Sequence, residues 1–282
     1  MNIKASLYHA SYKLVNVIAN TSNLEARILL QHAMGKSLEY LLAHSEQELT
    51  PKEQETFEQL LNRRLALEPI AYITNTKEFY GYDFTVNNKV LIPRSDTELL
   101  IDIILDKVAV NNTSLEILEI GTGSGCIAIS LLLERPNIYL TATDISIDAI
   151  SVAQQNARYH NVADRIKLIH SDWFQKLEGQ QFDIIVSNPP YIAREHISYI
   201  ATETLEYEPH LALFADNHGL ASYYIIAKEA KSFLRPQGKL FLEIGFNQAV
   251  DVAKIFDNNG YVVEKIYKDL TGHDRVIVVY FQ

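Results

Sequence analysis

The feature that most constrains the fold is a regular alternation of strand-like and helix-like segments from Leu115 to the end of the chain. Short apolar runs typical of buried strands are separated by longer stretches whose apolar residues recur at helical spacing. This alternation predicts an α/β fold with a largely parallel sheet covered by helices on both faces. The last two strands leave no room for a helix between them, so we expect them to pair antiparallel. The predicted strands are residues 115–120, 139–143, 166–170, 182–186, 239–244, 262–267 and 276–281, and the predicted helices are residues 124–134, 147–159, 220–234 and 249–259.

The first part of the chain, up to about residue 72, is predicted to be helical. Ser22 and Glu25 have the spacing of a capping box, and Gly35 would end the helix that they begin. Thr50 and Glu53 form a stronger start signal, because a proline stands between them at the first helical position. The resulting helical unit either docks a macromolecular substrate or uses its apolar faces only as a core.

An aromatic, alternating stretch follows at residues 79–86, and the chain returns over residues 89–92 after Asn87 and Asn88. This pattern predicts a β-hairpin whose turn lies at the two asparagines. The predicted organisation is a helical substrate-docking domain over residues 1–75, a connecting β-hairpin over residues 76–93 and an α/β domain over residues 94–282.

Composition narrows the classes of function. The net charge of −10 over 282 residues disfavours extended contact with a phosphate backbone, although a local basic patch remains compatible with it. The single cysteine, Cys126, excludes a disulfide framework and a cysteine-pair zinc site, and it is either a core residue or an activated thiol. The nine histidines lack paired metal spacing, so no metal is expected. Without a signal-peptide pattern or a membrane-length apolar run, we expect a cytoplasmic protein.

A glycine-rich loop lies between the first predicted strand and helix of the α/β region. Glycines at this place let the backbone turn tightly and approach a ligand, and the helix amino end offers free N–H groups. A dinucleotide-binding fingerprint would have glycine at Cys126, and a phosphate-binding loop would contain Gly-Lys-Ser or Gly-Lys-Thr. The loop therefore fits a nucleoside ligand without a pyrophosphate, or it serves only the packing of strand on helix. Its residues are Gly121, Thr122, Gly123, Ser124 and Gly125.

Acidic residues follow the next two predicted strands. Asp144 ends the second strand, where a carboxylate can accept hydrogen bonds from both ribose hydroxyls. Its alternative role is to cap the helix that begins after Ile145. Asp172 follows the third strand and could accept a hydrogen bond from an adenine amino group. Trp173 could flank the adenine ring or pack at an interface.

The tetrapeptide of Asn188, Pro189, Pro190 and Tyr191 follows the fourth predicted strand. Two successive prolines make this loop stiff and remove two backbone donors. The Asn188 side-chain oxygen and the carbonyl that follows it can each accept one hydrogen from an NH2 group, while Tyr191 can cover the face of a planar group. The alternative is a strand-ending turn without chemical consequence.

Upstream of the α/β region, Arg94 could orient a substrate or pair with Glu98. Asp96 or Thr97 could cap the helix predicted from residue 99 to residue 108.

These motifs together resemble those of the HemK/PrmC-type protein-(glutamine-N5) methyltransferases, which modify peptide chain release factors and belong to the class I S-adenosylmethionine-dependent methyltransferases. The resemblance covers almost the whole chain. The tetrapeptide alone is shared with adenine-N6 DNA methyltransferases and some RNA methyltransferases. This sequence departs from the family pattern at Ser95, Asp96, Glu68 and Asn217, in peripheral segments. The further matching segments are residues 90–94, 97–98, 207–209, 212–213, 242–245 and 272–275.

The resemblance implies a Rossmann-like class I methyltransferase sheet with a small N-terminal helical domain, and S-adenosylmethionine as cofactor. It implies methyl transfer to the side-chain amide nitrogen of the glutamine in the Gly-Gly-Gln motif of release factors, by a monomer without membrane contact. Asn188, Pro189 and Tyr191 would carry catalysis, and Pro190 and Arg94 would also contact the substrate. The cofactor would lie against Gly121, Thr122, Gly123, Ser124, Gly125, Asp144, Asp172, Trp173 and Asn188.

Three other functions remain open from the sequence. The chain could methylate amino groups of nucleic acid, either DNA adenine or ribosomal RNA, although its acidic charge disfavours a basic channel. It could methylate a glutamine of a ribosomal protein. It could also be an inactive cofactor-binding module that acts through its helical domain.

Overall fold

The computed structural model describes residues 1–108 and 114–281, and the chain divides into two compact units. Unit 1 comprises Met1–Thr76 and Ala201–Tyr207, and unit 2 comprises residues 77–200 and the chain from residue 208 onward. Within these described ranges, no helix has both the length and the apolar character that a membrane span requires.

Unit 1 is a bundle of short helices around a buried apolar core that includes Leu30 and Phe57. The capping box of Thr50 is confirmed, because its hydroxyl accepts from the Glu53 backbone N–H at 3.3 Å and the Glu53 carboxylate accepts from the Thr50 N–H at 2.7 Å. The box predicted at Ser22 is wrong, since the helix is preceded by Thr21, whose side chain makes no capping bond. The helices are Ile3–Leu14, Ser22–Met34, Leu38–Ala43, Pro51–Leu65, Ile70–Thr74 and Thr202–Tyr207.

The connecting hairpin pairs β1 (Thr76–Phe79) with β2 (Tyr82–Thr85). Its turn lies at Tyr80 and Gly81. The chain does turn at Asn87 and Asn88 as predicted, because the Val90 N–H donates to the Asn87 carbonyl at 3.1 Å. Residues 86–92 form no strand, however, so the hairpin predicted around that turn is wrong. Tyr80 and Gly81 have φ of 54° and 78°, the left-handed pair that matches the twist of a two-residue hairpin. Tyrosine is uncommon at such a position, which explains why the sequence pattern missed the turn.

Unit 2 is built on a seven-stranded sheet in the order β10-β11-β9-β6-β3-β4-β5. The strands β3, β4, β5, β6 and β9 run parallel, and β11 pairs antiparallel with both β9 and β10. The predicted fold class and the antiparallel final pair are confirmed. The seven strands are β3 (Leu115–Ile120), β4 (Ile138–Asp144), β5 (Ile166–His170), β6 (Phe182–Ser187), β9 (Leu234–Glu243), β10 (Val262–Lys268) and β11 (Asp274–Tyr280), and β7 (Ile192–Ala193) pairs separately with β8 (Phe214–Ala215).

Helices cover both faces of this sheet. Successive residues of β11 show the alternation, because Val278 packs into one apolar cluster and its neighbours Ile277 and Val279 pack into the other. The helix predicted over residues 220–234 ends at Glu229, and β9 begins at Leu234, before the predicted residue 239. The helices are Glu98–Lys107, Cys126–Glu134, Ile147–Tyr159, Ala221–Glu229 and Ala249–Asn258, with a short turn at Asp216–Gly219.

The fold brings the two main motifs together. The last residues of β3 and β6 are partners in the sheet, Ile120 opposite Ser187. The glycine loop follows Ile120 and the tetrapeptide follows Ser187, so both loops leave adjacent parallel strands at the same edge. In open α/β sheets, ligands bind outside this carboxyl edge, where the strand order reverses.

Candidate active site

A cavity of about 220 Å³ lies at the carboxyl edge of β3, β4 and β6. Most residues predicted to bind a ligand lie on its wall. They are Gly121, Gly123, Asp144, Asp172, Trp173, Asn188, Pro189 and Pro190.

Other predicted residues lie behind or beside the wall. Thr122 and Ser124 are buried, and the Thr122 hydroxyl donates to Glu119 at 2.6 Å. Gly125 supports the loop from behind, because a Cβ atom there would lie 3.0 Å from Cδ1 of Ile129. The last two predicted residues, Tyr191 and Arg94, make contacts described below.

The glycine loop has room for a ligand beside it. Gly121 and Gly123 have φ of 75° and 55°, and a Cβ atom built on either would meet no atom within 4 Å. The Gly121 N–H donates to the Thr143 carbonyl, and the Gly123 N–H donates to the Asp144 carboxylate at 2.8 Å. Among the wall residues that the structure describes, Lys89 alone is basic, which suits a ligand without phosphates.

Asp144 keeps hydrogen-bonding capacity toward the cavity. One of its oxygens accepts from the Gly123 N–H and the other accepts from the Ser146 N–H at 2.9 Å. An ionised carboxylate has about four acceptor sites, so hydroxyl donors of a ribose still find lone pairs. Burial raises the pKa of Asp144, against the hydrogen bonds that it receives. The helix-capping alternative is wrong, because Ser146 occupies the N-cap and accepts from the Ala149 N–H.

Trp173 and Asp172 form a neighbouring part of the wall. Trp173 has φ of 46°, an uncommon conformation for a bulky residue that other contacts must stabilise. Its ring packs beside the apolar cluster on one face of the sheet. The Asp172 carboxylate accepts from Nε2 of Gln175 at 3.1 Å and retains further acceptor sites.

A chain of hydrogen bonds runs from Asn188 into the protein. Nδ2 of Asn188 donates to Oγ1 of Thr97 at 3.1 Å, and the Thr97 hydroxyl donates to Oε2 of Glu243 at 2.6 Å. The Tyr191 hydroxyl donates to the other Glu243 oxygen at 3.1 Å, and its ring packs beside the apolar core. The sequence had suggested that Thr97 or Asp96 caps the following helix, but that helix has no side-chain cap.

Two backbone carbonyls of the tetrapeptide accept hydrogen bonds from side chains. The Pro190 carbonyl accepts from the Ser222 hydroxyl at 2.8 Å, and the Tyr191 carbonyl accepts from Nε2 of Gln248 at 2.9 Å. In the described part of the chain, neither Oδ1 of Asn188 nor the carbonyl of Pro189 receives a hydrogen bond. Both oxygens are therefore available to a ligand.

A second wall of the cavity was not predicted. It consists of Lys89, Val90 and Leu91 together with Pro209, Leu211 and Ala212. The buried Glu208 joins the two segments, because its carboxylate accepts from the Ile92 N–H at 3.0 Å and pairs with Arg94. The alternative in which Arg94 pairs with Glu98 is wrong, since Glu98 accepts from the Tyr80 N–H instead. The motif matches at residues 90–94 and 207–209 were the signal for this wall.

Glu119 is the second functional candidate that sequence reasoning missed. It is fully buried at the end of β3, and its Oε1 atom has no partner in the described structure. Burial, with the nearby Asp144, raises the pKa of Glu119 to about 8, against the hydrogen bond from Thr122. The same burial raises the pKa of Cys126 to about 12, so Cys126 is a core residue and the activated-thiol alternative is wrong. An acidic residue two positions before the glycine loop was the available signal for Glu119.

Comparison with known proteins identifies both parts of the chain. A family model for the methyltransferase small domain matches residues 95–216, and one for the PrmC N-terminal domain matches residues 7–74. A methyltransferase from Pyrococcus furiosus shares the fold, with a TM-score of 0.54, 21% identity and coverage of 79% of this chain and 98% of that one.

Two groups of relatives differ in length. The bifunctional methyltransferase of Rickettsia typhi is 54% identical over 99% of this chain, which covers 57% of that protein. The chain thus spans about half the length of the bifunctional methyltransferases that it matches. The release factor glutamine methyltransferase of Salmonella typhimurium is 38% identical over 95% of this chain and 96% of its own length. The resemblance drawn from the sequence motifs is therefore confirmed, and the chain belongs to the HemK/PrmC-type release factor glutamine methyltransferase family.

Proposed function

We propose that this chain transfers a methyl group from S-adenosylmethionine to the side-chain amide nitrogen of the Gly-Gly-Gln glutamine of a peptide chain release factor. One observation carries the proposal. Two acceptor oxygens, Oδ1 of Asn188 and the carbonyl of Pro189, lie at the edge of a cavity suited to a nucleoside and receive no hydrogen bond within the described chain. A primary amide has two N–H donors, which match these two acceptors.

The residues of the cavity fit S-adenosylmethionine. Gly121 and Gly123 leave space for close approach, Asp144 has acceptor sites for ribose hydroxyls, and Asp172 and Trp173 offer an acceptor and an aromatic ring for adenine. Acidic side chains also suit a cationic cofactor. When bound, the cofactor supplies an electrophilic methyl group on a sulfonium sulfur, whose S–CH3 bond breaks as the N–CH3 bond forms.

The protein's own contribution is orientation of a weak nucleophile. An amide nitrogen reacts poorly because its lone pair is delocalised into the carbonyl. Asn188 and Pro189 would hold both hydrogens, turn the nitrogen toward the methyl donor and increase electron density on it. The stiff Pro189-Pro190 segment keeps these acceptors in place. No strong general base is required, because the nitrogen releases its proton to solvent after the methyl group has been transferred.

The remaining site residues are assigned by the same proposal. Tyr191 contributes through its hydrogen bond to Glu243, and Arg94 contributes by holding Glu208 and with it the second cavity wall. Thr122, Ser124 and Gly125 support the loop that carries Gly121 and Gly123.

The helical domain, residues 1–75, is proposed to dock the release factor, with residues 76–93 connecting it to the methyltransferase domain of residues 94–282. The match of residues 7–74 to the PrmC N-terminal domain supports this division. The protein is proposed to act as a monomer. Release factors act on ribosomes, so the proposed place of action is the cytoplasm.

Incubation with methyl-labelled S-adenosylmethionine and a purified release factor tests the function. Mass spectrometry should find one added methyl group on the Gly-Gly-Gln glutamine, and none on a release factor whose glutamine is replaced by glutamate. Parallel reactions with ribosomal proteins, ribosomal RNA and DNA test the alternative acceptors. Transfer to one of those and not to the release factor would refute the proposal.

A further inference from the structure

We propose that Thr97 and Glu243 are positioning residues, which fix the Asn188 amide so that its oxygen, and not its NH2 group, faces the substrate. This inference rests on the proposed function, because it concerns the same Asn188 acceptor. It also explains why Asn188 presents its amide oxygen and not its amide NH2 group, although the two groups have nearly the same shape.

The direction of the hydrogen bonds carries the inference. An ionised carboxylate only accepts, so the Thr97 hydroxyl gives its single hydrogen to Glu243 at 2.6 Å. The Thr97 oxygen then offers only lone pairs to Asn188, and Nδ2 of Asn188 must be the atom that donates to it, at 3.1 Å. Oδ1 therefore points away from Thr97 and remains an acceptor.

Reversal of the Asn188 amide would defeat the proposed reaction. Rotation by half a turn would place Oδ1 against the Thr97 oxygen, where two acceptors would meet, and would present NH2 to the NH2 group of the substrate. Both Thr97 and Glu243 are buried, at 3% and 1% exposure, so water cannot replace the lost partner. The wrong orientation is thus disfavoured at both ends of the amide.

The position of Thr97 in the chain leaves its hydroxyl free for these two contacts. Thr97 ends the 3-10 helix Ser95–Thr97 and continues directly into the helix Glu98–Lys107, with helical φ of −70° and ψ of −19°. It therefore lacks the extended backbone conformation from which an N-cap threonine accepts from a backbone N–H. Its side chain makes no such bond. The hydroxyl is instead committed to Glu243 and Asn188, which a purely local structural role would not require.

Burial outweighs the polar contacts of Glu243, so the pKa of this carboxyl lies above its ordinary value. Burial raises the pKa of Glu243, and the negative charge of Asp96 adds to this rise. The hydrogen bonds from Thr97 and Tyr191 and the positive charge of Arg275 lower the same pKa. Arg275 lies between Asp96 and Asp269, 3.1 Å from each carboxylate, and the Tyr223 hydroxyl donates to the Glu243 backbone carbonyl. A protonated Glu243 could donate to Thr97 and free the Asn188 amide to reverse, so turnover should rise with pH as Glu243 ionises.

The main experiment compares Thr97→Val, which keeps the shape but removes the hydroxyl, with Thr97→Ser, which keeps the hydroxyl. Thr141→Val is the matched control, a buried threonine in β4 outside the cavity wall. We expect Thr97→Val to lower kcat for release-factor methylation by roughly tenfold or more, with unchanged cofactor affinity, and Thr97→Ser to restore most of it. Cofactor affinity is read from the fluorescence of Trp173, the single tryptophan. Equal kcat in Thr97→Val and Thr141→Val, or an equal loss in Thr97→Ser, would overturn the proposal.

Glu243→Gln keeps the inference testable where Thr97→Val does not fold. This variant should lose the rise of kcat with pH that we expect for the wild-type protein on the acidic side. An unchanged pH profile in Glu243→Gln would overturn the role of Glu243.

A measurement without turnover separates this proposal from the proposed function. Hydrogen exchange of the Asn188 side-chain NH2 group is followed by NMR, with the signal assigned by its absence in Asn188→Ala. Slow exchange in the wild-type protein and faster exchange in Thr97→Val would support the positioning role. This holds even if the release factor is not methylated, because that result would refute only the proposed function. Equal exchange rates in the two proteins overturn the positioning.

Discussion

Glu119 illustrates at the scale of one residue how the cavity is built at a cost in stability. Its carboxyl group is fully buried beneath the glycine loop, and one of its oxygens has no partner in the described chain. Burial raises its pKa from 4.5 to about 8. The folded protein therefore holds a proton on Glu119 at pH values where the unfolded chain has released it.

This difference predicts how stability depends on pH. Between about pH 4.5 and pH 8, folding must take up a proton at Glu119, so its contribution lowers stability progressively as pH rises, by up to about 1.4 kcal/mol per pH unit. Below this range both states are protonated and the penalty is absent. In Glu119→Gln the penalty is removed, so the free energy of unfolding of the variant relative to wild type should increase from pH 5 to pH 8 and then level off. Urea unfolding without cofactor at several pH values measures it, and a constant difference would contradict the assignment.

At the scale of elements, the tetrapeptide loop depends on a left-handed turn that packs against it. Asn217, His218 and Gly219 have φ of 53°, 57° and 83°, although only the last is a glycine. A Cβ atom on Gly219 would lie 2.2 Å from the carbonyl oxygen of Tyr191. The turn thus fits closely under the residue that ends the tetrapeptide.

Gly219→Ala should destabilise the protein and lower methyl transfer, because the added methyl group must displace the Tyr191 backbone. We expect a loss of about 2–5 kcal/mol, from the left-handed backbone and the steric overlap together. Gly179→Ala is the matched control, since Gly179 has φ of 76° with no atom within 4 Å of the added Cβ, and should lose only the backbone term. Thermal unfolding and kcat are measured for both variants, and equal losses would show that the contact with Tyr191 is unimportant.

The same scale shows which elements were predictable. The helix Ile147–Tyr159 and the strands Leu115–Ile120 and Ile166–His170 have the predicted bounds, because local periodicity and burial agree there. The hairpin turn and the start of β9 were wrong. Tyr80 adopts a left-handed conformation that its residue type disfavours. In β9, Gln237 has φ of 67°, and the strand continues past it because its register with β6 shifts there. At such positions, tertiary contacts and not local residue preferences determine the backbone conformation.

At the scale of the whole molecule, unit 1 is assembled from two separate stretches of chain. Arg64 joins them, because its buried guanidinium pairs with Glu25 of the first stretch and lies 2.9 Å from Glu203 of the second. Directly after the second stretch comes Glu208, whose carboxylate holds the unpredicted cavity wall. The ion pair therefore holds the second stretch of unit 1 against the first.

Arg64→Met should destabilise unit 1 by about 3–5 kcal/mol, because it leaves the buried Glu25 carboxylate without its cation. Glu203→Gln removes only the more exposed partner and should cost less than about 1 kcal/mol. Limited proteolysis should cut Arg64→Met between residues 194 and 207 faster than it cuts the wild-type protein or Glu203→Gln. Equal cleavage of all three would contradict the anchoring role.

The candidate site was predictable where strand ends carried a motif. Gly121, Gly123, Asp144, Asp172, Trp173 and the Asn188–Pro190 stretch all lie on one wall, because parallel strands bring their carboxyl ends together. Glu243 and Glu208 were motif positions without an assigned role, and Thr97 was expected only as a possible helix cap. Their contacts join residues far apart in the sequence, which spacing along the chain does not reveal.

Kinetics of Asn188→Ala test most directly the claim that an acceptor at the end of β6 orients the glutamine amide for methyl transfer. The variant should lower kcat by roughly a hundredfold or more, as loss of one oriented hydrogen-bonding group does in other active sites. Its cofactor affinity, followed by Trp173 fluorescence, should change by only about threefold or less, because the remaining cavity wall is intact. Unchanged turnover, or a loss explained entirely by weaker cofactor binding, would contradict the account.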